Sequence, residues 1–175
     1  MTDVKAFDVK LSINDQEISV PNGTTIYEAA KLAGYSIPVL CHYNLKEFNL
    51  KHTVGSCRIC VVEQQGKQNL VPSCSTPVEE GMKIFTHTPR VINARRTILQ
   101  LLISNHPFDC LTCSKSGECE LQQLCEDFGI NIVKYVGKRA QFKKDYAHET
   151  ILRDPDKCIM CRRCEMMCNE FQTVG

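Results

Sequence analysis

Tryptophan is absent from the 175 residues, and Phe and Tyr lift the aromatic share only to 7%. A core without large aromatic plates is lean, and small lean domains recruit metals or other staples. Net charge is nearly missing as well, because 21 basic and 20 acidic residues leave +1. That balance excludes bulk electrostatic steering toward nucleic acid or an anionic membrane. No run approaches the ~20 apolar residues of a membrane-spanning helix. The stretch Met1–Lys10 mixes acids with bases and has no apolar h-region, so no secretory signal is visible. Neither an internal repeat nor a low-complexity tract appears.

Cysteine is what the chain has in excess, with 12. Without a secretory signal the expected compartment is the cytoplasm, where thiols stay reduced. There such cysteines read as metal ligands rather than as a disulfide framework.

The local patterns set out an α+β chain. Val9–Val20 reads as a hairpin turning at Asn14-Asp15. Thr25-Ile26-Tyr27-Glu28 has capping-box spacing, and the helix it starts is ended by Gly34. A second strand pair is expected around Ile59–Glu63 and Gln68–Pro72, turning at Gln65-Gly66, and a last strand over Met82–Thr86. Two hairpins, a helix and a closing strand suggest a β-grasp sheet. Beyond Pro89, Val91–Ser104 repeats apolar residues at Val91, Ile98, Leu101 and Leu102, which predicts an amphipathic helix with Arg90, Arg95 and Arg96 on its outer face. It stops at Asn105-His106-Pro107. A helical piece over Cys119–Asp127 ends at Gly129. Asn131–Thr150 is polar and basic (Lys134, Lys138, Arg139, Lys143, Lys144) and reads as a solvated connector.

Eleven of the cysteines and one histidine fall into three arrays. In the first, Cys41, Cys57, Cys60 and Cys74 are separated by fifteen, two and thirteen residues. A [2Fe–2S] cluster needs two thiolates on each iron, and a tight Cys-x-x-Cys loop with two distant cysteines supplies them. Gly55 and Ser56 suit a loop whose backbone approaches the sulfides. A structural zinc site of four cysteines is the alternative. The second array is His106, Cys110, Cys113 and Cys119. It fits a [4Fe–4S] cluster with one imidazole corner, and zinc accepts the same donor set. The third, Cys158, Cys161, Cys164 and Cys168, has the two-two-three gaps of bacterial [4Fe–4S] ferredoxins. In two-cluster ferredoxins the fourth cysteine of such a run ligates the second cluster. Cys168 is therefore expected to serve the second cluster of a pair, and the chain is expected to be the N-terminal piece of a longer polypeptide. One cluster held by all four cysteines, or a site completed by another chain, remain open. Cys125 is left over and reads as a buried structural thiol. The other four histidines, His42, His52, His87 and His148, are not expected to be ligands.

Over essentially its whole length the sequence resembles the N-terminal electron-transfer region of multi-cluster iron-only ([FeFe]) hydrogenases. The related module occurs in the large iron–sulfur subunit of respiratory complex I and in the alpha subunit of NAD-dependent formate dehydrogenases. The run His106-Pro-Phe-Asp109-Cys110-Leu-Thr-Cys113-Ser-Lys-Ser-Gly117-Glu-Cys119-Glu-Leu121-Gln122 matches the His(Cys)3 signature of that family. Cys41, Cys57, Cys60 and Cys74 match its [2Fe–2S] ligands, and Glu80-Gly81-Met82 follows as in the family. Cys168 favours the hydrogenase and formate dehydrogenase branches over complex I, and the ending Glu170–Gly175 is more similar to the hydrogenase. Two features depart from the family. A loop insertion is expected at about Asn44–Val54, and Arg162 stands where Gly is usual.

The resemblance implies four regions: a β-grasp [2Fe–2S] ferredoxin-like domain over 1–87, a small helical His(Cys)3 [4Fe–4S] domain over 88–128, a connector over 129–148, and the start of a bacterial-ferredoxin-like [4Fe–4S] domain over 149–175. The lack of strong acidity fits a tethered module better than a freely diffusing ferredoxin. The function implied is a relay of electrons between a flavin- or NADH-oxidising subunit, or a ferredoxin, and a downstream catalytic domain or subunit. No catalytic constellation lies within the sequence itself. A zinc-stapled interaction module without redox role is the rival from another class.

Overall fold

A computed structural model of the chain describes residues 8–45, 48, 50–52, 55–137, 139 and 141–174. Strand β1 (Asp8–Ile13) runs antiparallel to β2 (Gln16–Pro21), as expected for the first hairpin. Asn14 and Asp15 both adopt positive φ, 49° and 67°. Paired left-handed residues make the turn whose twist matches the strands, and Asn and Asp tolerate that conformation best after Gly. Helix α1 (Ile26–Leu32) begins with the expected box: Thr25 accepts from the N–H of Glu28, and Glu28 accepts from the N–H of Thr25. It ends through Ala33 into Gly34, whose φ of 85° only glycine adopts without strain.

The expected insertion around Asn44–Val54 is not a plain loop. Its described part folds into a small antiparallel pair, β3 (Tyr43–Leu45) with β4 (Leu50–His52). The stretch has no Gly, Pro or Asn-Gly turn signal between the strands to announce a hairpin. Thr53 and Val54, at the end of the expected insertion, lie outside the described residues, as do Lys138 of the basic run and the terminal Gly175.

Strands β5 (Val61–Gln64), β6 (Val71–Pro72) and β7 (Lys83–Phe85) complete a five-stranded sheet of order β2-β1-β7-β5-β6. Among the described residues, only the β1–β7 pair of this sheet is parallel. The sheet is therefore mixed, and α1 packs Ile26, Ala29 and Ala30 into one core with Leu11, Ile13, Val20, Val62 and Ile84.

Helix α2 (Pro89–Ser104) carries Thr88 as N-cap, bonded to the N–H of Val91, and Pro89 in its first turn. Its buried stripe is Val91, Arg95, Leu99 and Ile103, spaced by four residues. Two expectations fail here. Leu101 is 55% exposed, and Arg95, expected outside, is 2% exposed. With Leu101 added to the apolar residues at 98, 99, 102 and 103, the apolar arc covers more of the helix than one face, so the sequence pattern does not fix its rotation. A single 3-10 turn (Cys110–Thr112) leads to α3 (Glu120–Asp127), with Cys119 as N-cap. Gly129 follows with φ 62°, as the stop signal implied. The segment 131–150 has neither helix nor strand among its described residues, apart from an isolated bridge of Asp145 to Arg153. Its Lys144 pairs with Asp154 at 3.3 Å. After a turn at Pro155–Lys157 come a one-turn α4 (Arg163–Met166) and a π-type turn over Met167–Phe171.

A second core lies between α2, α3 and the loops around Cys41 and Cys57. Leu40, Ile59, Leu99, Ile103 and Leu121 form it, with Ile159 and Cys161 from the last region packed against it. No helix among the described residues is long and apolar enough to cross a membrane.

Candidate metal centres

All four cysteines of the first array are buried, Cys41, Cys60 and Cys74 at 0% and Cys57 at 6% exposure. They straddle the two cores: Cys60 and Cys74 belong to the sheet core, Cys41 and Cys57 to the second. The Sγ atoms of Cys60 and Cys74 are 3.4 Å apart, and the Cys41 thiol interacts with those of Cys57 and Cys74. A two-iron cluster asks for two thiolates at each end of a short rhomb. Two cysteines contributed by each core match that demand.

The loop between them is shaped for close approach. Arg58 takes positive φ, 60°, and the backbone N–H of Ile59 bonds the Cys57 sulfur. Gly55 has φ 65°, and a Cβ there would meet Ser75 Oγ at 3.2 Å. Hydrogen bonds with Cys57 and Cys74 hold the Cys41 thiol far below its ordinary range, and one with Cys74 brings Cys60 down to about 6. Cys57 is pushed up first by its interaction with Cys41 and then by burial, and Cys74 by Cys41, then Cys60, then burial. A metal that needs thiolates displaces the protons that these thiols still hold. His42, adjacent to Cys41, is buried against Tyr27 with ring centroids 4.7 Å apart.

The second array comes together around a cavity of about 370 Å³ that His106, Cys110, Cys113 and Cys119 all line. His106 sits just past α2, Cys110 on the 3-10 turn, and Cys119 at the α3 N-terminus. The Nδ1 of His106 is 2.9 Å from the Pro107 carbonyl oxygen. A carbonyl only accepts, so Nδ1 carries the proton and Nε2 keeps a free lone pair, the tautomer a metal-binding imidazole needs. The donors and the cavity fit a multi-iron cluster. Cys125 is half-buried rather than fully buried, and it lines this same cavity. Burial, then the charges of Cys119 and Cys110, push its thiol up.

In the third array Cys158, Cys164 and Cys168 are exposed and Cys161 is half-buried. The N–H of Met160 donates to Cys158 Sγ at 3.4 Å, and Met160 and Arg162 both sit at positive φ, 56° and 59°. Backbone N–H groups turned inward by such residues make a nest that favours negative charge. Arg162 occupies a left-handed position, which is the physical reason glycine is usual there.

Side chains next to the ligand candidates tie the arrays together, and no sequence pattern announced these ties. Lys157 pairs with Asp109 at 2.9 Å, joining the residue before Cys158 to the residue before Cys110. Lys157 also holds the Asp109 carboxyl below its usual range. Arg163 reaches both other arrays: it pairs with Glu120 at 3.0 Å, donates to the His42 carbonyl at 3.2 Å, and lies over the Tyr43 ring at 5.3 Å. A smaller groove is lined by Cys57, His106 and Cys158, one residue from each array.

Residues 7–89 match the family described as 2Fe-2S iron-sulfur cluster binding domain. Residues 95–134 match the NADH-ubiquinone oxidoreductase-G iron-sulfur binding region. Among curated proteins, the NADP-reducing hydrogenase subunit HndD of Solidesulfovibrio fructosivorans is 52% identical over 166 residues, covering 94% of this chain and 28% of that protein. The G subunit of the NADH-quinone oxidoreductase of Rickettsia bellii (strain RML369-C) is 36% identical over 166 residues, covering 95% of this chain and 24% of that one. The chain thus spans about a quarter of the length of these relatives. Among solved structures, a crystal structure of NAD+-reducing [NiFe]-hydrogenase in the H2-reduced state superposes with a TM-score of 0.84 at 30% identity, over 95% of this chain and 68% of that one. The chain therefore carries a 2Fe-2S ferredoxin-like domain and a 4Fe-4S binding region, and it belongs to the family of iron–sulfur electron-transfer modules found in NADH- and NADPH-type oxidoreductase and hydrogenase subunits.

Proposed function

We propose that the chain relays single electrons between a flavin- or NAD(P)H-oxidising subunit, or a ferredoxin, and a catalytic centre outside these residues. The first reading of that centre is the H-cluster of an iron-only hydrogenase, and 52% identity to a hydrogenase subunit supports it. The alternative is an NADH dehydrogenase of the complex I type, which the matched NADH-ubiquinone oxidoreductase region and 36% identity favour. Cys41, Cys57, Cys60 and Cys74 would hold the [2Fe–2S] cluster on a β-grasp domain spanning 1–87. His106, Cys110, Cys113 and Cys119 would hold a [4Fe–4S] cluster within 88–128. After a connector over 129–148, Cys158, Cys161 and Cys164 would serve a further [4Fe–4S] cluster over 149–175, with Cys168 reaching to the second of a pair. The compartment proposed is the cytoplasm, from the abundance of reduced thiols.

Bound clusters supply one-electron acceptance and release. The chain supplies ligands, burial and spacing. One observation carries the reading: Cys41, Cys57, Cys119 and Cys161, drawn from all three arrays, belong to or pack against one apolar core. A single rigid core fixes their separation, which is what a relay requires and a set of independent staples does not. The test is EPR of the reduced, reconstituted protein. Magnetic broadening of the [2Fe–2S] signal when the [4Fe–4S] centre is also reduced supports the relay. Independent, unbroadened signals contradict it.

A further inference from the structure

Arg95 breaks the pattern of its helix. It sits in the stripe of Val91, Leu99 and Ile103 at 2% exposure. Its Nε and Nη2 both donate to the carbonyl of Val61, at 3.2 and 2.8 Å. Val61 is the residue after Cys60. A neutral carbonyl orients a guanidinium but does not neutralise it. An isolated cation taken out of water is costly unless opposite charge lies near. Among the described residues no carboxylate forms an ion pair with Arg95. The charge that bears on it is that of Cys60. Burial lowers its pKa to about 10, which leaves it charged at neutral pH.

The missing counter-charge is supplied if the buried cysteines hold an anionic iron–thiolate unit. We propose that Arg95 is a buried positioning and tuning residue of the [2Fe–2S] centre: it anchors the backbone beside Cys60 and raises the centre's reduction potential. This rests on the cluster assignment proposed above. One electron from the redox partner adds one negative charge to the iron–thiolate unit, and the fixed guanidinium favours that more negative state. A screened surface charge would have little such effect, whereas a buried one acts with little screening.

The test is a potentiometric titration of the anaerobically reconstituted full chain, followed by EPR, comparing wild type with Arg95→Gln and Arg95→Lys. Gln keeps a donor for the Val61 carbonyl and removes the charge; Lys keeps the charge. At the wild-type midpoint, the reduced-to-oxidised ratio of the [2Fe–2S] centre in Arg95→Gln is expected to fall about tenfold, which is 59 mV for one electron. Arg95→Lys is expected to stay within about twofold, on the same conversion. An unchanged ratio in Arg95→Gln, with only a lower Tm, overturns the proposal and leaves the cluster assignment standing. If Arg95→Gln does not load, Arg95→Lys decides: a wild-type ratio supports the proposal, and a tenfold fall overturns it. A wild type with no [2Fe–2S] signal removes the cluster assignment and the proposal together.

Discussion

Single residues carry the chemistry here, and each can be asked for separately. Cys74 lies in the sheet core beside Cys60, remote in sequence from the Cys57–Cys60 loop. Cys74→Ser is expected to cost the [2Fe–2S] centre, about two irons per chain, while the [4Fe–4S] signal persists; iron analysis with EPR checks it. Arg162 holds a left-handed backbone at φ 59°. Arg162→Gly is expected to raise stability by about 0.5 kcal/mol, the relief of strain exceeding the added freedom of the unfolded chain. Arg162→Ala brings no gain, since Ala meets the same Cβ clash. Thermal unfolding of both variants separates strain relief from loss of the exposed Arg162–Glu165 ion pair, which both remove. The three cysteine arrays stand out in the sequence because spacing along the chain is covalent: it survives without knowledge of the fold. The burial of Arg95 was not, because an Arg on an amphipathic pattern defaults to the solvent side and its partner carbonyl is 34 residues away.

At the scale of elements, α2 is the spine. Its N-cap Thr88 bonds the N–H of Val91 and donates to Glu63 of β5 at 2.6 Å, so one hydroxyl both starts the helix and pins it to the sheet. Its outer face ties down the segment after α3, through Arg96 to the Phe128 carbonyl at 3.1 Å and Gln100 to the Ile132 carbonyl at 3.2 Å. Thr88→Ala is expected to destabilise the loaded protein by about 0.5–2 kcal/mol, the range for a lost N-cap, read from chemical denaturation. The first hairpin, the capping box, the helix stops at Gly34 and Gly129, and the closing strand could be read in advance because each is specified within a few residues by turn or cap chemistry. The β3–β4 pair was missed because three-residue strands without a turn signature carry no period to detect.

For the whole molecule, the question is what keeps the three cysteine arrays in register. Two apolar cores meet at Cys41, Cys57, Cys60 and Cys74, and the last region is held to them by Lys157–Asp109 and by Arg163. These contacts join residues far apart in sequence and belong to no motif, so nothing in the chain's local patterns foretold them. Each such surface ion pair is weak by itself. Removing both ties with Lys157→Ala and Arg163→Ala is expected to raise the open population of residues 155–174 several-fold without unfolding the sheet. Faster amide exchange confined to that segment checks it. Exchange spread evenly over the chain would mean that the region is not separately docked.

Whether these arrays hold iron–sulfur clusters that work together is decided by iron and acid-labile sulfide analysis of the anaerobically reconstituted chain, with EPR after dithionite reduction. At least about six irons per chain are expected, with one [2Fe–2S] and one [4Fe–4S] signal, and about ten if Cys158–Cys168 also fill. Stoichiometric zinc, no iron and no EPR signal would contradict cluster binding and leave a structural metal domain in its place.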